Sequence, residues 1–361
     1  MSTYGSTSGD LTITQTAHSA KKLLERAAPY CILAQTGEMR QHAANQTKTM
    51  NIRRYKFAPN SNKFSALGVP VNASGFVLTE GVSPTLLDIV VENYDVTLQQ
   101  YGAATGVTDV VDDTAIDDVL TEIYGNLGEI AGPMIEMMQW EVIRTGSTIV
   151  KLAGGVGAEN LIVAALGLGE IRSAVRALRA NHAKFITNVV KSDVKWGTQA
   201  IEPAFIAVVN SDLEGTIRKQ FGDAFTPVAR YGAGATILEG EFGKTENVRY
   251  LSSSLVGKRA NVGATVGTAA NLLSDNGTNV NLYDVIVMGK GAWVGTALKG
   301  MFAVSPVLVR AKPSDSDVLG QRSKAGFKTM QSAAVTQPAH MVKNVAGALK
   351  AGASGYVIKS S

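Results

Sequence analysis

Two strand-like segments held apart by about thirty residues of loop constrain this chain more than any other feature. Lys48 to Phe57 reads as the first strand. Met50 and Ile52 share one face, and Tyr55 and Phe57 take the other after a slip at Arg53-Arg54, the offset that a bulge creates. Asp88 to Tyr101 reads as the second, with Tyr94, Val96 and Leu98 alternating with Asp95, Thr97 and Gln99. The residues between are punctuated by Pro59, Gly68, Pro70, Gly75, Gly81 and Pro84. At ~3.3 Å per residue each arm of such a hairpin reaches ~30 Å. Loops of this length are uncommon inside compact domains and are usually functional. With two mixed faces, a hairpin this long has nowhere to bury itself within its own domain.

The segment that follows is as demanding. From Thr114 to about Thr145, Ile116, Leu120, Ile123, Leu127, Ile130, Met134 and Met138 recur at three- and four-residue steps. The spacing predicts a helix of ~45 Å at ~1.5 Å per residue, longer than a small domain is wide. Thr114 is placed as its N-cap, Pro133 is expected to kink it, and Gly125, Gly128 and Gly132 to soften it. Beyond it the texture is mixed. A second amphipathic helix is expected over 169–183, a buried strand over Ala204 to Val209, and a helix over 213–221 capped through Asn210-Ser211-Asp212. Short strands are expected near Thr236 to Leu238, Val248 to Leu251, Val285 to Met288 and Val304 to Arg310, with Gly326 to Val335 pairing again and a mobile end to the tail from Lys343. Residues 1–16 read as a flexible Ser/Thr/Gly-rich arm, followed by helical character from Thr16 to about Met39. Helices and strands interleave without a steady βαβ rhythm, so the class is α+β.

Composition narrows the function. Of 361 residues 45% are hydrophobic, which supports a sizeable core. Only 18% are charged, below the ~25% usual for a soluble domain. Such a surface is either a neutral polar coat or one covered by other subunits, where charge is depleted. A single cysteine, Cys31, excludes a disulfide framework or a thiolate zinc site within one chain. The opening residues have no basic or apolar segment of a secretory signal, and no apolar run approaches the ~20 residues of a membrane helix. A soluble, intracellular product is expected. The net charge of +4 is too mild to argue for nucleic-acid binding.

Candidate chemistry is thin. Asp284 to Gly295 looks like a strand entering a dinucleotide loop, with glycines at 289, 291 and 295. The third glycine is one position late and no acidic residue follows about twenty positions on, so a tight turn after a core strand is the better reading. His18, His42, His182 and His340 have no metal-ligand spacing. The Asp-rich run 109–118 lacks the glycine and ligand spacing of a calcium loop and suits a helix N-terminus. Trp140, Trp196 and Trp293 are isolated, as core or interface residues are. No catalytic, cofactor or metal residue is assigned. One pattern remains. Residues 21–63 hold nine basic and two acidic side chains, and residues 109–143 hold nine acidic and no basic ones. The two stretches are either solvated faces of opposite sign or partners, in one subunit or between neighbours.

The order of parts resembles the major capsid proteins of tailed double-stranded-DNA bacteriophages, the HK-ninety-seven-like fold. Four local stretches are similar to one branch of that family: Thr79-Glu-Gly-Val-Ser-Pro84, Val96-Thr-Leu-Gln-Gln-Tyr-Gly102, Glu239-Gly-Glu-Phe-Gly243 with Val248-Arg-Tyr250, and Leu319-Gly-Gln-Arg322 with Gly326-Phe-Lys328. The resemblance spans about residues 20–345. It implies an N-terminal arm (1–45), an E-loop hairpin (46–102), a P domain with spine helix (103–165), an A domain (166–300), and P-domain return strands with a tail (301–361). The implied function is a non-enzymatic shell protein whose pentamers and hexamers close an icosahedral head around packaged double-stranded DNA. Its partners would be itself, a portal protein, separate scaffolding and decoration proteins and, weakly, DNA, with no membrane, in a virion assembled in the host cytoplasm. An encapsulin-like compartment shell is the alternative within the fold, and a nucleotide-dependent enzyme the alternative outside it. Arg53, Arg54, Lys56 and Lys63 against Asp112, Asp113, Asp117, Asp118 and Glu122 are the expected inter-subunit contacts.

Overall fold

The computed structural model describes residues 21, 23–43, 47–57, 64–65, 70–84, 86, 88–108, 111, 119–191, 197–232, 234–267, 271–298, 304–309, 319 and 321–350. They divide into two compact units, Asn45–Leu98 and the rest of the chain.

The smaller unit is the hairpin. After strand β1 (Glu38–His42), which belongs to the larger unit, β2 (Thr49–Phe57) pairs antiparallel with β3 (Ile89–Thr97). The ladder runs from Thr49 opposite Thr97 to Phe57 opposite Ile89 with no register shift, so the bulge expected at Arg53-Arg54 is absent. Alternation enforces register only where one face is buried along its length. Here Tyr55, Ile89, Val90 and Val91 are all exposed. Cross-strand bonds hold the pairing instead, with Thr49 and Thr97 hydroxyls 3.1 Å apart and Asn51 donating to Asp95 at 2.5 Å. At the tip, Phe64 meets Phe76 edge-on at 5.5 Å, and Val82 N–H closes a turn onto Thr79. Gly81 sits in that turn at φ +74°, where a side chain would be strained.

In the larger unit β4 (Gln99–Thr108) continues the chain after a break at Leu98 and ends seven residues beyond Tyr101, where periodicity stops, because Gly102 to Gly106 offers no alternation to read. Helix α1 (Val119–Gly146) runs unbroken through Pro133. Next come β5 (Ile149–Leu152), α2 (Leu168–Ala180), β6 (Ile186–Lys191) and β7 (Gly197–Asn210). Asn210 Oδ1 accepts from Asp212 N–H at 3.0 Å and starts a tight turn leading into α3 (Glu214–Phe221). β8 (Phe225–Pro227), β9 (Glu241–Thr245), β10 (Val248–Ser253), β11 (Lys258–Arg259), β12 (Leu282–Met288), β13 (Trp293–Leu298), β14 (Ser305–Val309), β15 (Arg322–Val335) and β16 (Met341–Gly347) complete it.

Five strands form one sheet, β1-β13-β15-β14, with β4 on the other side of β15. Nine form the second, β5-β16-β12-β7-β10-β9-β8, with β11 on β12 and β6 on β7. Helices α2 and α3 cover one face of the second sheet, where Ile171, Leu178 and Ile217 pack on Phe205, Val209 and Val285. Trp140 and Ile143 of α1, with Leu33, cover Val208, Ile286 and Met288 on the other. A sheet covered on both faces needs apolar side chains on both, which is why the run Ala204 to Val209 does not alternate. Strand β16 lies between β12 and β5, so the tail read from Lys343 begins as an inner strand of the sheet; its end, expected to be mobile, lies outside the described residues. No strand forms over Thr236 to Leu238. Their backbone groups serve a side-chain pair, with Thr236 C=O accepting from Arg249 at 2.5 Å and Leu238 N–H donating to Glu241 at 3.0 Å.

Candidate functional site

The glycines of α1 are close-approach positions and not soft spots. A Cβ on Gly128 would stand 2.3 Å from the Leu23 carbonyl oxygen, and one on Gly132 2.6 Å from that of Ala27. Spacings of three and four place Gly125, Gly128 and Gly132 on one face, and the helical arm residues 23–27 lie against it. Leu23, fully buried, joins Tyr124, Leu127, Ala131 and Ile135 of α1 and Phe327 of β15. Arg26 seals the edge, reaching Glu122 at 2.9 Å and both Asn126 and Glu129 at 3.4 Å. Lower down, Glu136 is fully buried and accepts the Leu33 N–H at 3.0 and 3.3 Å. Burial pushes its carboxyl up to about 8, against hydrogen bonds from Leu33, Ile32 and Ser253. The neighbouring Cys31 thiol is pushed up to about 12, mainly by burial and then by Glu136 and Glu239, so it is no nucleophile.

The predicted contact residues fare differently. Glu122 pairs with Arg26 of its own chain, so part of the opposed charge is satisfied at home, outside the hairpin. Lys56 and Arg54 both approach Glu92 on the facing strand, Arg54 at 4.0 Å; the Lys56 hydrogen bond above all, then that of Tyr94 and the two positive charges, holds the Glu92 carboxyl below its ordinary range. Arg53 is exposed and makes no ion pair among the described residues. Lys63, Asp112, Asp113, Asp117 and Asp118 lie outside the described residues. On the hairpin, Val77, Leu78, Val82, Leu86 and Ile89 are more than 60% exposed, and on α1 Ile130 and Met137 are about half exposed. Ile130 was expected inside. Sequence reading missed Arg26, Gly128 and Glu136, although the glycine spacing carries the signal for the first two.

The turn at 289–291 joins β12 directly to β13, with Gly291 at φ +68°. A dinucleotide loop opens a helix, so this strand–turn–strand has the wrong geometry for one. Trp293 just beyond it is fully buried, its indole N–H on Thr36 at 3.1 Å. No group of three or more His, Cys, Asp or Glu able to hold a metal occurs among the described residues.

Three of the stretches noted in sequence acquire a physical role. Glu241 and Arg249, on adjacent strands, form a buried ion pair with side chains 0% and 3% exposed, at 2.6 and 2.8 Å, and Tyr231 donates to the same carboxylate at 2.8 Å. Gly102 and Gly326 let β4 and β15 close up: a Cβ on either would lie 2.6 or 2.7 Å from the other strand's carbonyl. The family described as phage capsid protein matches residues 92–344, more than half of the chain. The chain belongs to the phage capsid protein family. No curated protein matches the sequence. Among solved structures, the capsid of Ralstonia phage GP4 is 10% identical over 87% of this chain and 88% of that one, TM-score 0.58. The head of Helicobacter pylori bacteriophage KHP40 is 9% identical over 88% of each, TM-score 0.57. The cyanophage Pam1 capsid is 15% identical over 90% and 92%, TM-score 0.53. At these identities the likeness establishes the fold, the α+β HK-ninety-seven-like capsid fold. The capsid protein is thus a structural, non-enzymatic major capsid protein of the virion, and capsid homologues build shells from many copies. The nucleotide-dependent enzyme is set aside.

Proposed function

We propose that copies of this chain form pentamers and hexamers that close an icosahedral head around packaged double-stranded DNA. In the fold's terms residues 46–102 act as the E-loop, 103–165 carry the spine helix, 166–300 form the A domain, and 301–361 return to the P domain. The hairpin of one subunit reaches across its neighbour. What supports this most is that Val77, Leu78, Val82, Leu86 and Ile89, all within thirteen residues of the hairpin unit, are each more than 60% exposed. Large apolar side chains concentrated in this way on one segment suit a partner surface. Of the expected contacts, Arg53 and Lys63 meet acidic groups from 112–118 of a neighbour, while Arg54 and Lys56 are taken up by Glu92 of their own hairpin and Glu122 by Arg26. A portal protein occupies one vertex, scaffolding and decoration proteins are separate chains, and DNA contact is weak and non-specific. Assembly takes place in the host cytoplasm. Electron microscopy of the expressed protein tests the reading, with closed particles expected. Replacing Ala58–Thr79 by a short Gly-rich turn should leave folded subunits and no closed shells. A ~38 kDa monomer at every concentration, or normal particles from the shortened hairpin, would refute it.

A further inference from the structure

Among the described residues the outer edges of the two large sheets are guarded, with one exception. In the five-stranded sheet β1 carries Glu38 and Arg40, and β14 is short and holds Pro306. In the nine-stranded sheet the outer strands carry Lys151 on β5 and Pro227 on β8. Charge, proline and brevity are the usual devices that stop an edge from recruiting another strand. Strand β4 has none of them. It is ten residues long, Gln-Gln-Tyr-Gly-Ala-Ala-Thr-Gly-Val-Thr, with no charge and no proline. It pairs with β15 on one side, and no strand pairs with its other side among the described residues. Seven of its ten residues are exposed. From Gly102 to Gly106 its side chains are small.

The chain also holds a segment suited to that edge. Residues 1–20 lie outside the described residues, and within them Leu11-Thr-Ile-Thr-Gln-Thr16 is rich in β-branched side chains (Thr12, Ile13, Thr14, Thr16), the composition that suits a strand, and holds no charge, glycine or proline. We propose that Leu11–Thr16 of a second copy adds to the free edge of β4 as an extra strand when subunits assemble. The donor is a second copy because the family's role is self-association. An edge open in the free subunit and closed in the shell couples strand pairing to assembly, and main-chain bonds then supply affinity that no side-chain contact has to provide. The inference rests on the shell reading.

Hydrogen exchange of the β4 amides tests it, in assembled particles and in free subunits of the full chain. The outward amides of residues 99–108 should exchange about tenfold or more slowly in particles than in subunits. Thr12→Pro with Thr14→Pro removes two backbone donors and should abolish that protection, while Thr12→Val with Thr14→Val should keep it. Equal exchange in wild-type particles and subunits overturns the proposal. So does protection that survives the double proline variant, because another segment then covers the edge. Protection already present in free subunits overturns it too, because pairing is then within one chain. Failure of wild-type protein to form particles refutes the shell reading itself.

Discussion

Gly128→Ala inverts the usual sign of a glycine-to-alanine change in a helix. In the interior of an exposed helix the change gains about 1 kcal/mol. Here the new Cβ would stand 2.3 Å from the Leu23 carbonyl oxygen, and ordinary contact begins at 3.4 Å. The arm must retreat by about 1 Å, a carbonyl having no rotamer to yield. Leu23 is fully buried, and returning such a side chain to water costs about 1.5–3 kcal/mol. The exposed Arg26 pairs add little. The balance is a loss of about 0.5–2 kcal/mol. Gly125→Ala is the internal control. The atoms nearest its Cβ would be those of the Arg26 guanidinium, the movable end of a long side chain, so the helix gain should prevail. Urea unfolding of both variants measures the difference, and limited proteolysis within residues 21–36 reports whether the arm has lifted. If Gly128→Ala is as stable as Gly125→Ala and its arm as resistant, the arm does not depend on the glycine face and the reasoning fails.

The raised Glu136 carboxyl binds its proton more tightly folded than unfolded. Its stabilising effect is complete below its ordinary value of 4.5 and is lost as pH rises through about 8. The urea midpoint should therefore fall between pH 4.5 and 8, by at most ~1.4 kcal/mol per pH unit, and Glu136→Gln should flatten that part of the profile. Arg249→Met leaves Glu241 buried without its partner and should cost about 3–5 kcal/mol in denaturant unfolding, more than any exposed ion pair. Arg53→Glu should impair particle formation at low salt without changing the unfolding midpoint of the subunit, whereas Lys56→Glu should also weaken the hairpin through Glu92. Particle yield by light scattering and a melting curve separate the two.

Much of this protein is written locally. Three- and four-residue periodicity set the long helix, since an apolar stripe has one way to bury itself on a helix, and an unalternating run marked β7 as covered on both faces. The hairpin was legible from strand propensity and from the prolines and glycines of its loop. The short stretches around Gly102, Glu241, Arg249 and Gly326 marked the family before their roles were visible. Other features depended on which distant segments meet. The glycines of α1 mean close approach only once the arm is seen to lie on them. Glu136 looks like one more acid of a charged helix until Leu33 and Ser253 enclose it. Residues 343–347 read as a basic tail because nothing local says that β12 and β5 close around them. The charge asymmetry between 21–63 and 109–143 was a sequence fact, but its division was not: Arg26 is committed within the chain, and Arg54 and Lys56 to their own hairpin. Propensity and periodicity act over a few residues, so a sequence shows them directly. Burial, close packing and charge pairing join residues a hundred or more positions apart, as Arg26 joins Glu129, and only the tertiary structure decides them.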